Sequence, residues 1–393
     1  MDFSYSEDQE SLRALARRIL ETEITQDRLR AAAAGDGIDR RAWRALADAG
    51  LLGIAVPEAY GGGGLGFLEV SIVLEEIGRT VAPVPYLAGV VTGALPVATF
   101  GTAAQRSAWL PGLVDGSVIF TAALQELAND RPTAPTTTAV PDATGGTGGT
   151  GGTGGTGSTG GTGGATHRLH GEKHFVPAAH LADRMLVPAT GPEGVELFLV
   201  DPHSPGVTLD RVTTTAGEPQ SHLVFDGAVG ERLGDGATPG AAMVEWVVAR
   251  AVAGICSTQV GVSERALEMT AEYTSGREQF GHPVASFQAV SQRAADAFID
   301  TEAIRLTARQ AAWRLSAGLP AAEEIAIAKF WAADGGQRVA HAAQHLHGGI
   351  GVDVDYPLNR YFTWSKQHEL TLGSATRQLL DLGRALAVPT RRI

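Results

Sequence analysis

Apolar positions divide the chain into three stretches. From about residue 5 to 118, Leu12, Leu15, Ala16 and Ile19, then Trp43, Leu46 and Ala47, recur at three- and four-residue spacing, which predicts amphipathic helices. Turn clusters at Gly35-Asp-Gly37, Gly61 to Gly64 and Pro83-Val-Pro85 punctuate them. From about 119 to 232 the texture changes to strands. Val195, Leu197 and Leu199 alternate with Glu196, Phe198 and Val200, and His222-Leu-Val-Phe225 runs into an Asp-Gly turn. From about 237 helical spacing returns and stays, over 238–276, 287–317, 321–346 and 360–386. Long helices with connectors as short as Gly318-Leu-Pro320 predict a bundle. The expected architecture is α+β: an N-terminal helical domain (1–118), a middle β-domain (119–236) and a C-terminal four-helix bundle (237–393).

Composition narrows the class. The formal net charge of −12 makes the chain a poor partner for a phosphate backbone, so nucleic-acid binding is not expected. A single cysteine, Cys256, excludes a disulfide framework and a cysteine-rich metal site. The start Met-Asp-Phe-Ser-Tyr-Ser-Glu-Asp lacks the basic and apolar parts of a signal peptide. The most apolar long run, 241–261, carries Glu245, Arg250 and Gln259, which argues against a membrane span. These features predict a cytoplasmic protein. Residues 144–164 are seven Thr-Gly-Gly triplets, one ending in Ser158, and hold 13 of the 50 glycines. With nothing to bury, this tract is expected to be a disordered loop between two strands. Its deletion is expected to change stability by about 1 kcal/mol or less, because closure entropy depends weakly on loop length. A larger loss in a urea melt would give the tract a structural role.

Four local strings sharpen the reading. They are Ala49-Gly-Leu-Leu-Gly-Ile-Ala-Val-Pro-Glu58 with Tyr60-Gly-Gly and Val73-Leu-Glu-Glu-Ile-Gly78; Gly171-Glu-Lys173; Tyr273-Thr-Ser-Gly-Arg-Glu-Gln-Phe-Gly281 with Phe287-Gln288; and His347-Gly-Gly-Ile-Gly351 with Asp355-Tyr-Pro357. In this order over nearly the whole chain, they resemble the acyl-CoA dehydrogenase family. The resemblance implies a helical–β–helical subunit that binds FAD and an acyl-CoA or other acyl thioester. The reaction it implies forms a trans α,β-double bond: a carboxylate removes the α-proton while the β-hydrogen leaves as hydride to the flavin. It also implies an electron-accepting flavoprotein and tetramers in which two subunits contact each flavin.

At the matched positions Arg277 offers a cation for the pyrophosphate, and Gly348 and Gly349 let the backbone approach without a Cβ. Phe280 offers an apolar face, Gln288 an amide, and Ser374 and Thr376 hydroxyls for the adenosine end. His345 stands where the family commonly has Gln. His341, His345 and His347 lack the companions of a metal motif, so no metal is expected.

The departures cluster at the chemistry. The family's usual base position, before Gly373-Ser374, holds Leu372, and the alternative position early in the long helix holds Ala251. Neither takes a proton. Glu369, one helical turn before Leu372, is the nearest carboxylate, followed by Asp353 and Asp355. A surface pairing of Glu369 with Lys366 is the plainer reading, and Arg250 reads as an edge residue paired with Glu245 or another acid. The family's Thr-Glu-Pro loop is reduced to Glu126, and Pro177 replaces its flavin-facing Thr. Asp355-Tyr-Pro-Leu-Asn-Arg-Tyr-Phe-Thr-Trp and Leu372-Gly-Ser resemble the base-lacking subunits of bacterial α2β2 members. The resemblance therefore implies a homologous partner that carries the base. Three alternatives stay open: a homo-oligomer with its own carboxylate base, a flavin-binding or structural member without turnover, and an oxygen-using flavin enzyme.

Overall fold

A computed structural model describes residues 3–142 and 165–387, so the Thr-Gly-Gly tract lies outside the described residues. Its flanks are two paired strands, as expected. Six helices form the N-terminal part: α1 (Glu7–Glu23), α2 (Gln26–Ala34), α3 (Arg40–Asp48), α4 (Phe67–Thr80), α5 (Leu95–Phe100) and α6 (Ala103–Val114). A wider, π-type stretch, Leu87–Ala94, leads into α5. Ser6 starts α1 with a capping box to Gln9, and Asp39 caps α3, so sequence-local oxygens satisfy the free N–H groups.

The middle part holds β1 (Phe120–Ala122), β2 (Thr138–Pro141), β3 (Thr166–Pro177), β4 (Arg184–Gly191), β5 (Gly194–Val200), β6 (Val207–Thr213) and β7 (Pro219–Arg232). Pairings run from β4 through β2, β3, β7 and β5 back to β4, which closes the sheet into a ring, with β1 beside β4 and β6 beside β7. Leu169, Phe198, Leu223 and Phe225 fill its interior. The β3–β7 register pairs Lys173 with Leu223 and then Val176 with Ser221, leaving His174 and Phe175 in a bulge.

The C-terminal part is a helical bundle: α7 (Gly240–Gly276), a small hairpin of β8 (Glu278–Gln279) and β9 (His282–Pro283), α8 (Gln288–Ser316), α9 (Ala322–Phe330), α10 (Gly336–His347), α11 (Leu358–Leu370) and α12 (Ala375–Ala387). By length and composition α7 passes for a membrane span, yet it is the central packed helix of the bundle. It lies so close to α4 that a Cβ on Gly261 would sit 1.8 Å from the Glu75 carbonyl oxygen. Arg79 of α4 also grips Glu268 of α7 at 2.5 and 2.8 Å.

Two of the expected long helices are interrupted. The 321–346 span holds a wider π-type turn at Trp331–Gly335. The 360–386 span breaks at 371–374, where Leu372 and Gly373 take φ of 55° and 106°. The break is stabilised from elsewhere in the chain. Lys329, fully buried on α9, donates its Nζ to the carbonyls of His368 and Glu369 at the end of α11.

Candidate functional site

A solvent-open cavity spanning about 780 Å³ lies where the three parts meet. Leu87, Ala88 and Thr92 come from the π-type stretch, Leu124 and Gln125 follow β1, and Phe175 and Pro177 end β3. Ala251 and Ile255 of α7 and the end of α11 through Leu372 complete it. A side lobe of about 640 Å³ shares Leu87, Ala88, Pro177, Glu218 and Trp364. An outer cleft beside it shares Gln125, Phe175 and Leu372. Phe175 and Leu372 take φ of 53° and 55°, a conformation that costs a residue with a side chain about 1–3 kcal/mol. Two of the five such residues among those described thus stand on the wall between cavity and cleft.

One arc of the cavity is polar. Among the described residues Glu218 carries its only carboxylate; Gln220 donates to Glu218 at 2.9 Å, and Gln367 donates to the same oxygen. Burial pushes the Glu218 carboxyl up, against those two donors. His368 Nδ1 lies 3.0 Å from Gln259 Oε1, an oxygen that only accepts, so the ring donates there. Burial, helped by the nearby Lys329 charge, drives His368 down to about 3, so the ring is neutral at pH 7. Lys329 is itself lowered to about 8 by burial.

The residues assigned to the cofactor lie in three places. Arg277 follows α7, exposed and without an ion pair among the described residues, and Phe280 projects beside it at 91 % exposure. Gln288 opens α8, also exposed. His345, Gly348 and Gly349 stand at the end of α10, and a Cβ on either glycine would meet open space. Tyr273 on the last turn of α7 stacks on His347 at 4.5 Å, so the ends of α7 and α10 adjoin. Ser374 and Thr376 instead follow the break after α11, beside the outer cleft that Gly373 and Gln378 line. Ala251 and Arg277 stand on and at the end of the same helix, about 39 Å apart at its 1.5 Å rise per residue.

Residues 6–117 match the family profile "Acyl-CoA dehydrogenase, N-terminal domain", and 239–387 match "Acyl-CoA dehydrogenase, C-terminal domain". Acyl-CoA dehydrogenase FadE27 of Mycobacterium tuberculosis is 38 % identical over 98 % of this chain and 99 % of its own. The chain belongs to the acyl-CoA dehydrogenase family. Members of this family are FAD-dependent oxidoreductases. Among solved structures, a variant of the Tcur3481-Tcur3483 steroid ACAD is 42 % identical, with a TM-score of 0.86 over 97 % of this chain and 98 % of that one. The ChsE4-ChsE5 complex from Mycobacterium tuberculosis is 39 % identical, with a TM-score of 0.87 over 99 % and 100 %.

Leu372 and Ala251, the two positions where the resemblance implies a base, both line the cavity, and neither side chain takes a proton. Glu369 does not line it; its Oε2 accepts from Lys366 Nζ at 2.5 Å, the plainer of the two sequence expectations. Asp353 and Asp355 are exposed in the turn before α11. Arg250 has no acidic partner among the described residues; its guanidinium lies 3.6 Å from the Trp246 ring, which corrects the expected pairing with Glu245. Glu126, the remnant of the Thr-Glu-Pro loop, accepts from Lys173, Asn129 and both the N–H and hydroxyl of Thr136 and Thr137. Its carboxylate is a structural hub, with both oxygens committed to the loop and Lys173. Sequence reading missed Glu218, Gln220 and His368. A carboxylate just before a Pro-led strand was the one visible signal.

Proposed function

We propose that this chain is the base-lacking subunit of a heteromeric acyl-CoA dehydrogenase, and that its Arg277 end serves a flavin seated in a homologous partner subunit. The separation along α7 carries the reading. A cation about 33 Å along the helix from Ile255, the α7 residue of the cavity wall nearest to it, is beyond the reach of one extended flavin dinucleotide lying in that cavity. The dinucleotide end fits: a guanidinium without an ion pair among the described residues, the exposed Phe280 face and the open backbone of Gly348-Gly349 suit a pyrophosphate and its neighbours. The ring end in this chain fits poorly, because Pro177 has no N–H and Glu126 is fully engaged. Bound FAD supplies the hydride acceptor. Arg277 would hold its phosphate charge, and the partner's carboxylate would take the α-proton of the acyl thioester. Reoxidation would call on an acceptor flavoprotein. The name "steroid ACAD" on one relative favours a bulky, steroid-type acyl thioester as substrate, and the ChsE4-ChsE5 complex favours assembly with a second kind of subunit. A homo-oligomer using its own base is the second reading, and Glu218 in the cavity is the observation that favours it.

Replacing Arg277 by alanine in the co-expressed complex removes a charge-assisted hydrogen bond of about 2 kcal/mol, or roughly 30-fold in flavin affinity. The purified complex should lose most of its visible flavin absorbance per protein. An unchanged flavin-to-protein ratio removes Arg277 from the site.

A further inference from the structure

We propose that Glu172, His174 and His222 form a binding site for a zinc-class divalent transition ion on the β-domain, away from the cavity chemistry. Glu172 and His174 are two apart on β3, so they project to one face, opposite the buried Lys173. His222 precedes Leu223, the cross-strand partner of Lys173, and so reaches that same face from β7.

The distances suit a four-coordinate ion. Ligand atoms about 2.0–2.1 Å from a tetrahedral centre stand roughly 3.3–3.4 Å from one another. Glu172 Oε2 lies 3.5 Å from His174 Nε2 and 3.4 Å from His222 Nε2. All three ligand atoms fall within 4.8 Å of one another. His222 Nε2 is shielded from solvent and has no hydrogen-bond partner, so a buried lone pair or N–H is left unused. Two imidazoles and one carboxylate suit Zn²⁺, Co²⁺ or Ni²⁺ better than Mg²⁺ or Ca²⁺. The two rings stack at 4.1 Å and 13°, so an ion entering between them must fan them apart to bring both lone pairs to bear. Glu172 is exposed, which leaves the fourth position to water.

The site spans the β3 bulge. Binding would tie His174, next to the strained Phe175 on the cavity wall, to β7. This inference does not depend on the subunit's role in dehydrogenation.

The test titrates the purified, metal-stripped protein with Co²⁺, followed by Zn²⁺ competition. One equivalent should give the visible bands of tetrahedral Co²⁺, which Zn²⁺ abolishes. His174→Ala and His222→Ala should remove them, and Glu172→Gln should weaken binding more than about 10-fold, the smallest loss seen even for outer partners of a ligand. Circular dichroism of each variant confirms the fold. Absence of the bands with the folded protein overturns the proposal, as does binding that survives both histidine replacements.

Discussion

Glu126→Ala is expected to remove about 3–5 kcal/mol of stability, the loss typical of a buried ion pair deprived of one member. Lys173 is fully buried and finds its partner in Glu126 Oε1, 2.7 Å away. The alanine leaves that ammonium without a counter-charge and frees the donors of Thr136 and Thr137 as well. Adding Lys173→Met should recover part of the loss, because the remaining burial is then apolar. Urea midpoints of the two single variants and the double variant give the coupling. A loss below about 1 kcal/mol in the single variant would mean that the hub is not holding the loop.

The same pair sets a pH dependence. Burial would raise the Glu126 carboxyl, but the Lys173 ammonium and the Thr136 N–H outweigh it and hold the group well below the ordinary carboxylate range. A carboxylate whose folded value is depressed stabilises fully above its unfolded value of 4.5 and loses that contribution as pH falls toward the folded one. The stability gap between the parent chain and Glu126→Ala should therefore narrow on acidification below about pH 5. Lys173 is lowered to about 8 by burial, against the pull of Glu126, and stays charged at pH 7.

The helical, β and helical order was legible because periodicity is local, and the four strings lay in register along the chain. The break at 371–374 was not. Nothing in Leu370-Thr-Leu-Gly forbids a helix to Leu372, and the lysine that caps α11 sits 39 residues before His368, on another helix. Leu372 and Ala251, where the resemblance implies a base, lie 121 residues apart in sequence, and their shared cavity emerges only when α7 and the end of α11 come together. Glu218, Gln220 and His368 were hidden for the same reason: they meet from β7, the turn before it, and α11. Arg277 could be counted 26 residues from Ala251, yet the consequence needs one unbroken helix between them. Glu126 was matched by motif alone, and its hydrogen bonds give it to the loop instead.

This chain alone, reconstituted with FAD, is expected not to bleach its flavin with any acyl-CoA at a useful rate under anaerobic conditions. Loss of a general base typically costs about 10²–10⁴-fold, and Leu372 and Ala251 present only hydrocarbon to the cavity. Leu372→Glu should regain part of that factor, since residue 372 already lines the cavity and Gly373 and Ser374 follow it. The regain stays partial because Pro177 cannot donate to the ring and Glu126 is committed to Lys173. Addition of the base-bearing partner should restore bleaching without any substitution. Rapid bleaching by the unmodified chain would sink the partner reading, and the variants then identify the base. Loss in Glu218→Gln would assign the proton to the cavity's own carboxylate, whereas loss only in Glu369→Gln would require Glu369 to leave Lys366 and turn inward. Of the two, Glu218 is the stronger rival, because burial has already raised its proton affinity inside the cavity.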